Sequence, residues 1–591
     1  MYILGISCFY HDSAAALLRD GEIMAASEEE RFSRKKHDFG FPELAIDFCL
    51  ANAGIRAEDL DYVVFYEKPF QKFDRILNTI LQTFPGSLEV FQEAMINWFG
   101  DKLWIKGIIH KRLEVALDRI LFVEHHMSHA ASAYFSSPFD EAAILTVDGV
   151  GEWVTTTMGR AKGQEITIER EQRFPHSVGL LYSAFTAYLG FEVNEGEYKV
   201  MGMAPYGEAK YTDQVWKTVS RGSGGGFSLE MDYFAFHRSV KDSYSEKLIE
   251  LFGPPRHPES KFFTRSSGYP SYYGAKPADY EAACRQNEHY ADVAASIQRV
   301  TEDLVLDMAL ELQRSTGLER LCMAGGVALN SVANGRILNE SGFRELYIQP
   351  AAGDGGGALG AALYVHNTLL KGKRSPVMGH AYWGEKYSAA EAAAQLREQG
   401  AKWEEIDEEA NLIARVVERL MAGDVIGWHQ GRFEWGPRAL GHRSILGNPT
   451  NEAMKEIVNT KIKFREPFRP FAPSVLAERT SEYFDLEDPE RHYPARFMLL
   501  VVPVREEKRS TLPAITHVDG SGRLQTVFRE ESPLYYGLIE TFGEASGVPV
   551  VLNTSFNLRG EPIVNTPTDA YHTFMSSEMD ALVIGNFFIT K

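Results

Sequence analysis

Two passages in which a short strand runs straight into glycine constrain this chain more than any other feature. Leu321 to Met323 reads as a strand leading into Gly325-Gly326-Val327-Ala328-Leu329-Asn330. Glu345 to Ile348 reads as another, leading into Gly353-Asp354-Gly355-Gly356-Gly357-Ala358 with a helix from Leu359. Glycines after a strand let the backbone approach an anion closely and leave free amides at a helix start. An α/β chain is therefore expected, with a nucleotide or phosphate site at Gly325, Gly326, Asn330, Gly355 and Gly356. Neither passage is a Walker A or a dinucleotide fingerprint.

The same alternation runs through the chain. An apolar run over 2–9, broken by Gly5, meets a bend holding His11 and Asp12; Ala14 to Leu18 and Ile23 to Ala26 follow around Arg19-Asp20-Gly21. Helical spacing over 42–53, a strand over 60–65, a long helical stretch over about 76–120 and a strand over 120–123 precede His125, His126 and His129. Ala142 to Val147 reads as a strand ending at Asp148-Gly149, and the chain turns back through Met158 as a hairpin. Residues 291–315 have helical periodicity, and 210–290 read as an elaborated lobe without assignable chemistry. At 591 residues the chain exceeds a single core. A polar stretch near 374–402 separates an expected first domain, 1–385, from a second, 403–591. No internal repeat is visible.

A formal net charge of -20 argues against non-specific binding to nucleic acid or an anionic membrane face. Cys8, Cys49, Cys284 and Cys322 form no CxxC pair, so neither a zinc knuckle nor a disulfide framework is expected. No signal peptide or membrane span is read, so the cytoplasm is the expected location. A homodimer is left open.

His125 and His129, four apart in an alanine-rich segment, share a face if that segment is helical and can then hold one ion. Asp148 and Asp354, each beside a glycine at a strand end, would add oxygen ligands. A mixed set of this kind suits Fe(II), Mn(II) or Zn(II), while ordinary hydrogen-bonding histidines are the plain alternative. His126 should point away. In an acidic chain, Trp435-Gly436-Pro437-Arg438, Lys461-Ile462-Lys463-Phe464-Arg465, Phe468-Arg469-Pro470 and Asn557-Leu558-Arg559 make a local cationic excess among glycines, prolines and aromatics. That mixture reads as a shaped anion pocket, with Arg438, Lys463, Arg469 and Arg559 as phosphate donors and Arg523 as a secondary one. His429 and His442 read as structural.

Several long motifs together carry a resemblance. His11-Asp12-Ser13-Ala14-Ala15, Glu28-Glu29-Glu30-Arg31-Phe32-Ser33-Arg34-Lys35-Lys36-His37, His125-His126-Met127-Ser128-His129 and Gly196-Glu197-Tyr198-Lys199-Val200-Met201-Gly202-Met203-Ala204-Pro205-Tyr206-Gly207 stand in the order found in the NodU/CmcH carbamoyltransferase family, which the chain resembles over nearly its whole length. The resemblance implies an α/β protein with an actin-like ATPase (ASKHA) fold in the N-terminal lobe and a YrdC-like α/β C-terminal domain. It also implies a metal, Fe(II) or another divalent ion, on His125, His129, Asp148 and Asp354, with Mg2+ accompanying ATP.

For activity, the resemblance implies that carbamoyl phosphate and ATP give a carbamoyl-adenylate in the C-terminal domain, and that a hydroxyl of a small-molecule acceptor takes the carbamoyl group in the first lobe. His11, Asp12 and Lys36 would then be catalytic, with His11 as general base. An actin-like ATPase or sugar kinase would explain the glycine loops but not the C-terminal cations. A hydrogenase-maturation carbamoyltransferase should also carry CxxC zinc motifs.

Overall fold

The computed structural model describes residues 1–258, 260–374, 377–463 and 465–591. Phe464 of the cationic motif lies outside them. The chain forms two compact units. The first comprises 1–26, 39–269 and 276–377; the second takes 27–38 and 270–275 from the first half of the chain together with 378–591.

The first unit is a duplication of topology. Strands β1 (Tyr2–Ser7), β2 (Ala14–Arg19), β3 (Glu22–Glu28), β4 (Tyr62–Phe65) and β5 (Ile120–Phe122) lie in the order β3-β2-β1-β4-β5. β1 pairs antiparallel with β2, Ile3 opposite Leu18, and parallel with β4, which in turn pairs parallel with β5. The next strands repeat the plan: β6 (Glu141–Val147), β7 (Val154–Lys162) and β8 (Glu165–Arg173) form an antiparallel meander. After the small hairpin of β9 (Val219–Arg221) and β10 (Phe227–Leu229), β11 (Arg320–Ala324) and β12 (Glu345–Ile348) add in parallel, giving β12-β11-β6-β7-β8. Two such sheets, each followed by a helix after its fifth strand, make the actin-like arrangement. The repeat is one of strand order and not of residues, which is why the sequence shows none.

The helices after the fifth strands, His125–Tyr134 and Asp354–Tyr364, pack face to face. Their closeness depends on glycine: a Cβ on Gly360 would lie 1.9 Å from the carbonyl oxygen of Ser128, and one on Gly5 of β1 would lie 1.8 Å from that of Ala358. The stretch expected as one helix over 76–120 is instead three, Pro69–Thr83, Leu88–Gly100 and Ile105–Leu113. The chain breaks between the first two at Pro85-Gly86, residues that cannot continue a helix cheaply.

The second unit is likewise α/β, built on a nine-stranded mixed sheet. Its central strands stand in the spatial order Ile426–His429, Arg443–Gly447, Val550–Ser555, Ala472–Leu476 and Ser521–Val527. Glu409–Met421 and Pro533–Ser546 cover it, and Leu412, Val416, Leu420, Leu538, Ile539 and Phe542 fill the layer between with Trp428 and Val551. The polar stretch read as a linker contains the helix Ala389–Glu398, started by a capping box of Ser388 and Glu391. Among the described residues no helix is long and apolar enough to cross a membrane.

Candidate active site and anion pocket

The duplicated topology brings four distant residues together in the first unit. His125 and Asp354 open the two equivalent helices that follow β5 and β12, and Asp148 follows β6. Helical spacing puts His129 one turn from His125, with the two Nε2 atoms 3.0 Å apart. His125 Nε2 lies 3.1 Å from Asp148 Oδ2 and 3.5 Å from Asp354 Oδ1. For His129 Nε2 the same distances are 3.9 and 3.5 Å.

All four residues are buried, and their donor atoms fall within 4.8 Å of one another. Asp354 Oδ1 has no hydrogen-bond partner. Two imidazole nitrogens that face each other can share only one proton, so a cation between them is what satisfies both rings and the carboxylates together. The set fits a divalent ion with mixed nitrogen and oxygen ligands and no thiolate. Burial opposes charge on His125, but Asp354, Asp148 and Glu67 outweigh it and lift its pKa well above the ordinary value. Burial likewise works to raise Asp148, yet the bond to His125 and the charge of His129 hold it well below the usual carboxylate range. His126 points away, its ring bonded to Thr146 Oγ1 at 2.6 Å and Val154 O at 2.9 Å, and burial with its two histidine neighbours pushes it down to about 3.

The glycine segments pack closely around this set. Gly325, at φ +95°, passes so near the Val147 carbonyl that a Cβ would sit 2.3 Å from its oxygen. That approach lets the amide of Gly326 donate to Asp148 Oδ1 at 2.7 Å. Gly355 and Gly356 are buried in the first turn of the Asp354 helix, and a Cβ on Gly356 would lie 2.0 Å from the Ala351 carbonyl oxygen. Asn330 caps the helix Ser331–Glu340 through Ala333 N and exchanges hydrogen bonds with Gln298.

His11 and Asp12 occupy the bend between β1 and β2, the counterpart of the Asp148 turn, with Asp12 at φ 50°. His11 Nδ1 lies 2.9 Å from Asp12 Oδ2, and its Nε2 lies 3.9 Å from Asp354 Oδ2. Burial resists the charge, but Asp354 and Asp12 raise His11 to about 9. Lys36 belongs to the segment 27–38 that packs with the second unit. Three residues escaped the sequence reading. Tyr66 donates to Asp354 Oδ2 at 3.3 Å; Glu67 Oε2 lies 3.7 Å from His125 Nδ1 and 2.6 Å from Lys72; Glu152 accepts the amide of His125 at 3.0 Å. The available signal was position, since Tyr66-Glu67 ends a strand as Asp148 does.

In the second unit, Arg438 rides on a loop held from both sides. Glu434 Oε1 accepts the amides of Leu440, His442 and Arg443 at 2.8, 2.9 and 3.1 Å, while Gln525 and Asn553 donate to the carbonyls of Leu440 and Ala439. Glu28 and Arg31 hold Gly436 by its amide and its carbonyl. Arg523 is driven well below the usual guanidinium range by burial and by Arg438, Arg465 and Arg469, so these four cations share one neighbourhood. Lys463 is depressed likewise, first by burial and then by Arg465 and Arg469.

The Lys463 ammonium is committed to protein oxygens: Asn557 Oδ1 at 2.8 Å, Asn557 O at 2.9 Å, Ser555 Oγ at 3.2 Å and Ser555 O. It therefore braces the 555–557 turn. Arg559 is exposed just beyond that turn. Arg465, two residues beyond Lys463, joins the cluster; its Nε donates to Asn459 Oδ1 at 2.8 Å. His429 and His442 make structural hydrogen bonds, to Asn565 O and to Arg432 O with Ser532.

Residues 2–363 match the family profile described as the carbamoyltransferase N-terminus, and 417–591 match the one described as the carbamoyltransferase C-terminus. A protein of Synechocystis sp. described only as uncharacterized is 47% identical, the alignment covering 100% of this chain and 97% of that one. Nodulation protein NolNO of Sinorhizobium fredii is 37% identical, with 99% and 79% covered. The 3'-hydroxymethylcephem-O-carbamoyltransferase of Streptomyces clavuligerus is 32% identical, with 56% and 60% covered.

Proposed function

The chain belongs to the carbamoyltransferase family, and on that footing we propose that it is an ATP-dependent O-carbamoyltransferase. In this reading carbamoyl phosphate, ATP with Mg2+ and one water give carbamoyl-adenylate in the second unit, with phosphate and pyrophosphate as the groups released. The carbamoyl group then passes to a hydroxyl of a small-molecule acceptor in the first. The observation that carries the reading is the pairing of two unlike sites in one chain. One is a group of crowded cations in which burial and the neighbouring arginines hold Arg523 and Lys463 below their ordinary ranges, a strain an anion would relieve; the other is a buried donor set with no excess of cations.

Arg438, Arg469 and Arg523 are assigned to the phosphates of carbamoyl phosphate and ATP, with Arg465 beside them. The fork of a guanidinium matches two phosphate oxygens, and the clamped 436–442 loop keeps Arg438 from having to be ordered on binding. Lys463 is assigned to hold the 555–557 turn that completes the pocket. His125, His129, Asp148 and Asp354 would hold a divalent ion, Fe(II) or another, which supplies Lewis-acid polarisation of a carbonyl oxygen.

Asp12 fixes the Nδ1 side of His11, so that Nε2 faces the donor set. His11 is placed to accept the proton of the acceptor hydroxyl as its oxygen attacks the carbamoyl carbon and AMP departs; a divalent ion on the donor set would supply charge that offsets the pull of Asp354 on that proton. The family resemblance assigns Asp12 and Lys36 to this step.

The test is incubation of the metal-loaded protein with Mg-ATP, labelled carbamoyl phosphate and a pool of hydroxyl-bearing metabolites. Mass detection should find label on a product together with AMP. ADP formation without AMP, and without labelled product, would point instead to an ATPase or kinase of the same fold and overturn the reading.

A further inference from the structure

The helix Pro69–Thr83, started by proline at its first position, turns two cations inward. Lys72 and Arg75, one turn apart, are only 4% and 8% exposed. Lys72 is accounted for: its ammonium lies 2.6 Å from Glu67 Oε2 and 4.5 Å from the centre of the Tyr10 ring. Arg75 is not. Its guanidinium stacks 5.0 Å over Phe174, its Nε has no hydrogen-bond partner, and among the described residues no carboxylate comes within ion-pair distance of it.

The neighbouring acids are engaged elsewhere. Glu67 serves Lys72 and faces His125 Nδ1, Glu152 takes the amides of Lys68 and His125, and Asp74 takes Trp153 and Asn78. A buried guanidinium without a counter-charge is costly, and proteins that keep one supply an anion.

The place of this cation says where the anion comes from. Lys72, Glu67 and His125 lead from the inward face of the helix to the donor set. Tyr10, whose ring covers Lys72, is the neighbour of His11, with ring centres 4.8 Å apart. Tyr10 is also 36% exposed, so a ligand can reach this side of the site. We propose that Arg75 binds an oxyanion carried by a ligand of the first unit, a carboxylate, phosphate or sulfate group placed beside the carbon that is transferred. Burial holds the Arg75 pKa below the ordinary guanidinium range, and Tyr10, Glu67 and Glu152 offset it only in part.

This inference rests on the reading of the first unit as the transfer site. The oxyanion has two sources, the phosphate of the activated carbamoyl donor or an acidic group on the acceptor. The test locates it directly: crystals of the full chain are soaked in selenate, and the anomalous map is read at Arg75. A selenate on the guanidinium of the wild type, lost in Arg75→Gln and weakened in Arg75→Lys, is the expected result.

A second soak with AMP then separates the sources. Displacement of the Arg75 selenate by the AMP phosphate assigns the position to the donor; selenate retained beside bound AMP assigns it to an acidic acceptor. No selenate at Arg75 in the wild type, whatever binds at the second-unit arginines, overturns the proposal, as does an unchanged peak in a folded Arg75→Gln. A selenate at Arg75 in a protein that transfers no carbamoyl group would leave the oxyanion site standing and remove only the assigned reaction.

Discussion

Gly360→Ala should damage the proposed metal site without touching any of the four residues assigned to it. The added Cβ would lie 1.9 Å from the Ser128 carbonyl oxygen, where ordinary contact begins at 3.4 Å. The Asp354 and His125 helices must then separate by roughly 1.5 Å, or one of them must tilt. An exposed helical Gly→Ala would gain about 1 kcal/mol from propensity, but a backbone clash in a packed core costs about 1–3 kcal/mol, so the net is destabilising by up to about 2 kcal/mol. The sharper consequence is geometric. Asp354 rides on one helix and His125 with His129 on the other, and all approach within 3.5 Å. A metal site tolerates about 0.5 Å of displacement, so an affinity loss in the 10–100-fold range typical of a disturbed outer shell is expected. Denaturant unfolding and titration with Fe(II) or Mn(II) give the two numbers, and carbamoyl-adenylate formation should be unchanged. A variant with the wild-type unfolding midpoint and wild-type metal affinity would show that close helix packing does not set the geometry.

Arg438→Ala should lower carbamoyl-phosphate-dependent AMP release by about 1.5–3 kcal/mol of lost charge-assisted bonding while metal content measured by elemental analysis stays full. His129→Ala should do the reverse, emptying the metal site and abolishing transfer but leaving adenylate formation intact; wild-type metal content in that variant would remove His129 from the ligand set. His442, half-buried against Tyr382 with both ring nitrogens bonded, is pushed down to about 4 by burial, so its folded pKa lies below the unfolded 6.5. Its contribution to stability is therefore present above pH 6.5 and is lost as pH falls toward 4, by up to about 3 kcal/mol. Unfolding midpoints over that window should fall steadily for the wild type and less for His442→Gln, and equal slopes would contradict the assignment.

The four-residue spacing of His125 and His129 was legible because helical geometry alone brings their rings together once the alanine-rich segment is a helix. Asp148 and Asp354 were legible as carboxylates at glycine-bearing strand ends. What could not be read was the reason for the glycines themselves. Gly325, Gly356 and Gly360 sit where another backbone comes within contact, and a sequence does not show which carbonyl oxygen a glycine will meet. Lys463 was legible as a cation of the second-unit pocket but not as a brace, because its partners, the oxygens of Ser555 and Asn557, lie about ninety residues on. Arg75 gave no signal at all: in sequence it is one basic residue on an amphipathic helix, and its meaning comes from having, among the described residues, no acid within ion-pair distance.

The duplicated topology explains why a site built from residues more than two hundred apart is nevertheless local. In each half the chain offers two positions at the carboxyl end of the sheet, the turn after the first strand and the start of the helix after the fifth. The first half fills them with His11-Asp12 and with His125, the second with Asp148 and with Asp354. Facing helices then bring the four positions into one cluster, in which His11 reaches Asp354 and His125 reaches both aspartates. The two halves have the same backbone positions but different chemistry, histidine-rich on one side and carboxylate on the other, and that difference is what makes the donor set a mixed one of nitrogen and oxygen. A symmetric filling, with four carboxylates or four histidines, would leave like charges or idle rings facing each other. The fold supplies the symmetry, and the asymmetry of the residues placed on it supplies the chemistry.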